Sequence, residues 1–450
     1  MASNRIGYIQ NTTSAQKGGS MGVVSATSIG IGGMIGAGIF SILGVVGQLA
    51  GSAAWLSFLG AGTVAMLCGH SFAKLGATFP SSGGPVKFLI RGFGCNVLSG
   101  TLNIILWFGY ILAMALYASA FASYAVALWR GNGEADTGSA LLHPILAASI
   151  VLVFLGLNLA GSAVVGRAEG VIVGAKVAIL FAFVAVTLPK ADPDLLSMSN
   201  WEPAHAIAFT FGTTFLAFEG FGLITNAAAD MKNPRVTLPR AIYTSIGLTI
   251  LIYVLVAIAT LGSLPINQIV EKKEYALAAA AEPSFGQAGF VAIGIAALFS
   301  TASAINATLF GGANVGFNIA HERQLPKLLD RELWQGARVG LLVTAGLVAA
   351  LAALVPLAAI ANAGSAAFLI VYGAVAAAHL RLRHETGASA KVIWATIVSC
   401  ALTLVLLMVY LARSDLTSLI GFVGLLALGW LTEYLYMRRR GRSEEPAEVR

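Results

Sequence analysis

Charge is scarce in this chain: of 450 residues only 10% are Asp, Glu, Lys or Arg. A soluble globular domain carries about 25%, so the shortage excludes a soluble fold. With 57% hydrophobic residues and a mean hydropathy of +0.82, the chain reads as a polytopic membrane protein. Cysteine is scarce as well. Cys68, Cys95 and Cys400 fall in or beside different apolar runs without metal-ligand spacing, which leaves them as small packing residues and excludes a disulfide framework. Catalytic motifs are missing too. There is no Gly-x-x-x-x-Gly-Lys-Ser/Thr and no His-Glu-x-x-His, and Gly30-Ile31-Gly32 neither completes a dinucleotide fingerprint nor follows a strand. The sequence therefore predicts no enzyme, no cofactor and no metal. The polar first twenty residues lack the short apolar region and cleavage site of a signal peptide.

What is present is apolar length. Twelve runs, roughly 21–49, 53–79, 97–128, 143–161, 168–188, 205–228, 239–262, 286–318, 338–356, 358–380, 391–411 and 416–437, approach or exceed the ~20 residues that span a bilayer. Twelve spans place both termini on one side. Of 27 Lys and Arg, 21 lie in segments on the amino-terminal side, 5 on the opposite side, and one, Lys176, inside span five. The positive-inside rule then predicts cytoplasmic termini in a plasma or inner membrane. Topology accounts for the +7 net charge, so no nucleic acid is expected, nor an obligate protein partner. The tails, 1–20 and 438–450, are too short for a signalling domain. Outside, Ser263 to Gly286 carries a helix-prone patch, Tyr275 to Ala281, and is long enough to fold over an entrance. Inside, Ala320 to Gly336 alternates charge signs.

Within span one, Ser28 to Phe40 holds five glycines in thirteen residues. Each glycine weakens a helix by about 0.8 to 1 kcal/mol relative to alanine, so the helix is predicted to break here. Freed backbone groups at membrane depth are tolerated where they line a cavity or meet a ligand. Span six repeats the signal in Phe218-Glu219-Gly220-Phe221-Gly222. Two glycine-interrupted spans five apart predict two five-helix halves of opposite orientation, 21–188 and 205–380, with spans eleven and twelve (391–437) added. A half-helix start attracts a carboxylate and a half-helix end an ammonium, which suits a zwitterion. Amides near Gly36 to Gly38 would take the carboxylate, and carbonyls near Phe215 to Phe218 the amine. Phe215, Phe218 and Phe221 would wall the apolar part. The alternative is that the glycines serve close helix packing, as the Gly32 and Gly36 spacing allows.

These residues resemble the amino acid-polyamine-organocation transporters, whose members have the LeuT-type fold. The likeness rests on Gly36-Ala37-Gly38-Ile39-Phe40, on Phe218-Glu219-Gly220-Phe221, on Lys232-Asn233-Pro234 with Leu238-Pro239-Arg240-Ala241-Ile242, on Lys176, and on Arg323-Gln324-Leu325-Pro326. It implies an all-α membrane protein of twelve transmembrane helices with a 5+5 inverted repeat and discontinuous first and sixth spans. It also implies a carboxylate-binding segment at Met34, Ile35, Gly36, Ala37 and Gly38, and an amine-binding and gating segment at Leu216, Ala217, Phe218 and Glu219. Alignment on Gly220 puts Leu216 at the gate, where relatives often carry an aromatic, so Phe215 and Phe218 stand as alternatives.

Two charges are embedded. A lysine at mid-membrane costs at least about 2.5 to 3.5 kcal/mol, so Lys176 is expected to face a partner or cavity. A buried lysine gains and loses its proton more readily, and in members resembling this chain the ammonium stands where sodium sits in sodium-coupled relatives. Proton coupling through Lys176 is the resulting expectation, with a permanent clamp on span-one carbonyls as the alternative. Glu219 could receive a cationic side chain, carry a proton, or stay protonated as a donor. Ser300, Thr301, Ser303 and Asn306 in span eight could complete a cation site or simply bond between helices, and Tyr372 could close the site from the side. His70 and His205 read as interfacial. The expected function is a proton-coupled amino acid permease working by alternating access. A polyamine or cationic amino acid exchanger and an inorganic-ion carrier of the same fold are the alternatives.

Overall fold

A computed structural model describes residues 19–130, 141–160, 165–322, 324, 332–334 and 337–440. Most of both tails and much of the loop from Ala320 to Gly336, including Arg323, Leu325 and Pro326, lie outside the described residues. The first span forms two helices, α1 (Val23–Met34) and α2 (Gly38–Ala50), followed by α3 (Ala54–Thr78), α4 (Gly84–Phe93) and α5 (Val97–Arg130). Next come α6 (Leu142–Ala160), α7 (Val165–Thr187), α8 (Ala204–Phe215), α9 (Phe221–Asn226), α10 (Pro234–Leu261), α11 (Ile266–Lys272) and α12 (Ala276–His321). The chain continues through α13 (Val339–Leu354), α14 (Leu357–Arg381), α15 (Arg383–Thr386), α16 (Ala390–Ser414) and α17 (Leu416–Arg440).

Among the described residues, eleven helical segments are long and apolar enough to cross a membrane. The expected twelfth, 338–356, is the 16-residue α13, about 24 Å long at 1.5 Å per residue. Two local causes shorten it. Ala337–Arg338 pairs with Glu332–Trp334 in a short antiparallel ribbon, which departs from the expected all-α chain. At the other end Pro356 disfavours helix at Val355, and the next helix starts with Pro356 as its cap. The sequence reading also missed α4, whose Val86, Phe88, Leu89 and Ile90 are buried although Lys87 and Arg91 interrupt the run.

Burial sorts the helices. The most hydrophobic windows of the first, third and sixth spans are 89%, 89% and 83% buried, against 11% for the fourth and 17% for the last. The broken span therefore sits at the centre, with α5 packed along α12 and α14, and α3 along α10. The first and sixth spans run antiparallel and are tied at both ends. Met21 donates its N–H to the Asp230 carbonyl at 3.1 Å and accepts from Lys232 at 3.2 Å. At the far end Ser52 donates to the Asn200 carbonyl at 3.1 Å, and Glu202 to Ala50 at 3.4 Å.

The helix-prone patch after Tyr275 is helical, with Ala276 to Ala281 buried. Gly286, at φ +63°, separates this piece from the spanning part of α12. Gly44 in α2 has no side chain and so admits the backbone of Lys273, which seats this connection against the first span.

Cys68 in α3 and Cys400 in α16 touch, Sγ to Sγ at 3.3 Å, and both are buried, whereas Cys95 is exposed. A maleimide is accordingly expected to label one thiol in the folded protein and all three after denaturation. Labelling of Cys68 or Cys400 without denaturation would show that α3 and α16 do not pack as described.

Candidate functional site

The first span breaks where its glycines predict. Helix α1 stops at Met34, Ile35 takes ψ 61°, and α2 starts at Gly38. The interruption takes carbonyls out of the helical ladder, and each needs a donor from elsewhere. Four helices supply them. The Lys176 ammonium of α7 donates to the carbonyls of Gly32 at 3.2 Å and Ile35 at 2.8 Å. The Tyr117 hydroxyl of α5 lies 3.2 Å from the Gly33 carbonyl. Tyr253 of α10 donates to the Met34 carbonyl, and Ser300 of α12 to that of Ile35 at 2.5 Å.

The amide side is arranged differently. Gly36 N–H turns back to the Met34 carbonyl at 2.8 Å, and the Ala37 carbonyl accepts the first bond of α2 from Ser41 at 2.9 Å. The first amides of α2, beginning with Gly38, have no partner within their helix, which is the general condition of a helix start. The surroundings are tight. A side chain on Gly36 would meet the Ala304 methyl at 2.6 Å and the Tyr117 ring at 3.3 Å, and one on Gly38 would meet the Tyr253 hydroxyl at 2.7 Å.

The sixth span departs from expectation. It is interrupted but not unwound: Leu216–Phe218 form a 3-10 turn, and Glu219 and Gly220 keep right-handed helical dihedrals at ψ −27° and −17°. Tighter bonds hold the backbone, Glu219 N–H to Leu216 at 3.2 Å and Gly222 N–H to Glu219 at 3.1 Å. The carbonyls expected to be free near Phe215 to Phe218 are thus partly engaged. Tyr253 links this span to the break, since its hydroxyl also lies 3.2 Å from the Ala217 carbonyl. Ser365 of α14 accepts the Leu216 N–H at 2.9 Å and donates to the Thr213 carbonyl at 3.1 Å.

Gly220 serves a different purpose. It lies directly on Gly33, so that the two spans touch backbone to backbone. The packing role of glycine and the break therefore occur together in span one, and packing dominates in span six.

The aromatic residues surround Tyr372. Its hydroxyl donates to the Glu219 backbone carbonyl at 3.0 Å, and its ring lies 6.0 Å from Phe215 and 5.2 Å from Phe221. Phe218 points elsewhere, onto Tyr253 at 5.1 Å. Leu216 packs on Gly364 in α14. All of these are buried. Ser303 is buried one turn beyond Ser300, Thr301 bonds its own helix at Ala297 at 2.8 Å, and Asn306 accepts from Asn158 at 3.2 Å. Of the span-eight candidates Ser300 reaches the break.

Glu219 is fully buried. Its Oε1 lies 3.0 Å from the Tyr117 hydroxyl, while Oε2 has no hydrogen-bond partner among the described residues. The histidines stand apart from this constellation: His70 bonds Tyr243 at 2.7 Å and His205 lies 5.9 Å from the Phe209 ring. A cavity of about 660 Å³ lined by Lys74, Arg235, Tyr243 and Glu385 shares no lining residue with the break.

Tyr117, Tyr253 and Ser365 were not picked out from sequence. One signal was available for the first: Tyr110, Tyr117 and Tyr124 recur every seven residues and so share one face of α5. Tyr124 also serves the first span, donating to the Phe40 carbonyl at 2.7 Å.

The family described as amino acid permease matches residues 21–430. An uncharacterized protein of Methanocaldococcus jannaschii is 37% identical over 89% of this chain and 91% of its own length. The inner membrane transport protein YbaT of Escherichia coli is 34% identical over 96% of this chain and its whole length. A methylthioribose transporter of Bacillus subtilis is 26% identical, with 92% of each chain covered.

Proposed function

The chain belongs to the amino acid permease family, and from that premise we propose a secondary active amino acid transporter that works by alternating access. It is a multi-pass membrane transporter and not an enzyme. The observation that carries the proposal is the broken first span, whose carbonyls from Gly32 to Ile35 are held by side chains of α5, α7, α10 and α12. A break clamped from four directions presents a fixed helix start at Gly38, and such a start favours a carboxylate.

The substrate is an amino acid whose carboxylate meets Gly36 to Gly38 and whose amine meets the 3-10 turn of the sixth span. Met34, Ile35 and Ala37 complete the first segment, and Leu216, Ala217, Phe218 and Glu219 the second. Phe215, Phe221 and Tyr372 enclose the side chain. Ser300 positions the Ile35 carbonyl, and Ser303 is a further candidate one turn along the same helix. The antiparallel pairing of the first and sixth spans supports a LeuT-type inverted repeat, 21–188 against 205–380, with 391–437 outside it. Both termini face the cytoplasm of a plasma or inner membrane by the distribution of Lys and Arg.

Lys176 couples transport to protons. Its ammonium holds the break closed, and loss of its proton in the inward-open state weakens that hold.

The test begins with thermal shift of the purified protein against the proteinogenic amino acids, polyamines and 4-aminobutyrate. Any hit is then measured for uptake into proteoliposomes with and without an inward proton gradient. Stabilisation by one or more zwitterionic amino acids and gradient-stimulated uptake are expected. Ion flux without an organic substrate would overturn the proposal, and a response confined to arginine and polyamines would move it to a cationic exchanger.

A further inference from the structure

The Tyr117 hydroxyl has one hydrogen and two acceptors, the Gly33 carbonyl at 3.2 Å and Glu219 Oε1 at 3.0 Å. Suppose Glu219 is ionised. The hydrogen must then turn to Oε1 or be shared, so Gly33 loses all or part of its donor. A fully buried carboxylate would also hold its charge with one shared hydrogen bond, because Oε2 has none. If instead the carboxyl is neutral, Oε1–H donates to the Tyr117 oxygen and Tyr117 donates to Gly33. Each hydrogen then has one acceptor, and no charge is buried.

The side chains around this carboxyl reinforce the count. Tyr110 and Tyr117 come from α5 and Tyr372 from α14, all uncharged phenols. Tyr253 is engaged on Met34 and Ala217, and Tyr372 on the Glu219 backbone carbonyl. The ammonium of Lys176 is directed at the Gly32 and Ile35 carbonyls.

We infer that Glu219 is a second proton-binding site, neutral while the first and sixth spans are closed, and that Tyr117 makes the Gly33 hydrogen bond depend on its proton. The step balances simply. The Oε1–H bond breaks, the proton passes to water that enters on opening, and the Tyr117 hydrogen moves from Gly33 to Oε1. Gly33 packs on Gly220, the residue after Glu219, so the lost bond loosens the contact between the two spans. Rebinding of the proton restores it. In the transport reading above, which supplies the purpose of this switch, Glu219 thereby links protonation to closure.

Infrared spectroscopy of the full chain in lipid vesicles tests the inference without requiring transport. At neutral pH the wild type is expected to show a protonated-carboxyl C=O band that is lost in Glu219→Gln. Glu433→Gln, at the other buried glutamate among the described residues, is expected to keep this band. Identical carboxyl regions in wild type and Glu219→Gln overturn the inference. Should Glu219→Gln fail to fold, Tyr117→Phe decides: removal of the phenol shifts the band, and an unchanged spectrum overturns the inference. Uptake stands as a separate measurement. A wild type that moves no amino acid sinks the transport reading and leaves the band in place.

Discussion

Replacing Lys176 with alanine is expected to lower amino acid uptake at least tenfold and to abolish its stimulation by an inward proton gradient, while the protein remains folded. Two effects oppose each other in its stability. The ammonium gives hydrogen bonds of 3.2 and 2.8 Å to Gly32 and Ile35, and a bond to a charged group contributes about 1.5 to 3 kcal/mol. Placing a lysine at membrane depth costs about 2.5 to 3.5 kcal/mol. Two such bonds together contribute about 3 to 6 kcal/mol, which overlaps the insertion cost and exceeds it by at most a few kcal/mol, so alanine lowers the unfolding temperature only modestly. The geometry has no such compensation. Ser300 still donates to Ile35 in the variant, but Gly32 loses the Lys176 bond, and the break is no longer held from α7. Thermal denaturation beside gradient-driven uptake checks both halves. Gradient-stimulated uptake that survives in Lys176→Ala would remove Lys176 from coupling and leave it as a clamp.

The break in the first span was legible in sequence because its cause is local. Glycines at 30, 32, 33, 36 and 38 weaken one helix wherever that helix sits. In the sixth span the same residue marked an interruption, between Phe215 and Phe221, but not an unwinding. Gly220 and Gly222 read as unwinding signals, yet the backbone there stays right-handed, since each glycine makes room for a neighbour: Gly33 at Gly220, and the hydroxyls of Tyr372 and Tyr110 at Gly222. A sequence cannot separate a glycine that frees its own backbone from one that admits another.

The partners of the break were hidden for a related reason. Periodicity gives the face of a helix on which Tyr117 or Ser300 lies, but not the helix that this face meets. The membrane spans were legible from apolar length, with α13 too short because the ribbon before it and Pro356 after it set its ends. Lys176 was legible by cost alone, because a charge at that depth requires a reason.

The contact between Gly33 and Gly220 makes the second large prediction. A Cβ on Gly220 would fall on the backbone of Gly33 and Met34, and backbone cannot rotate away as a side chain can. Overpacking of a close-packed interior costs about 1 to 3 kcal/mol when side chains can adjust; here the helices themselves must separate. Gly220→Ala is therefore expected to abolish uptake and to lower thermal stability more than either control. The first control, Gly33→Ala, meets the Gly220 Cα and the flexible Leu223 side chain, both at 3.0 Å. The second, Gly222→Ala, meets the Tyr372 hydroxyl at 2.8 Å and that of Tyr110 at 3.4 Å, both at side-chain ends. The expected order of loss is Gly220→Ala, then Gly33→Ala, then Gly222→Ala, read by denaturation temperature and initial uptake rate. The order matters more than any single value. If Gly222→Ala proved the most damaging, the Glu219 turn would depend on its phenols more than on the contact with span one, and closure would have to be traced through Tyr372 instead.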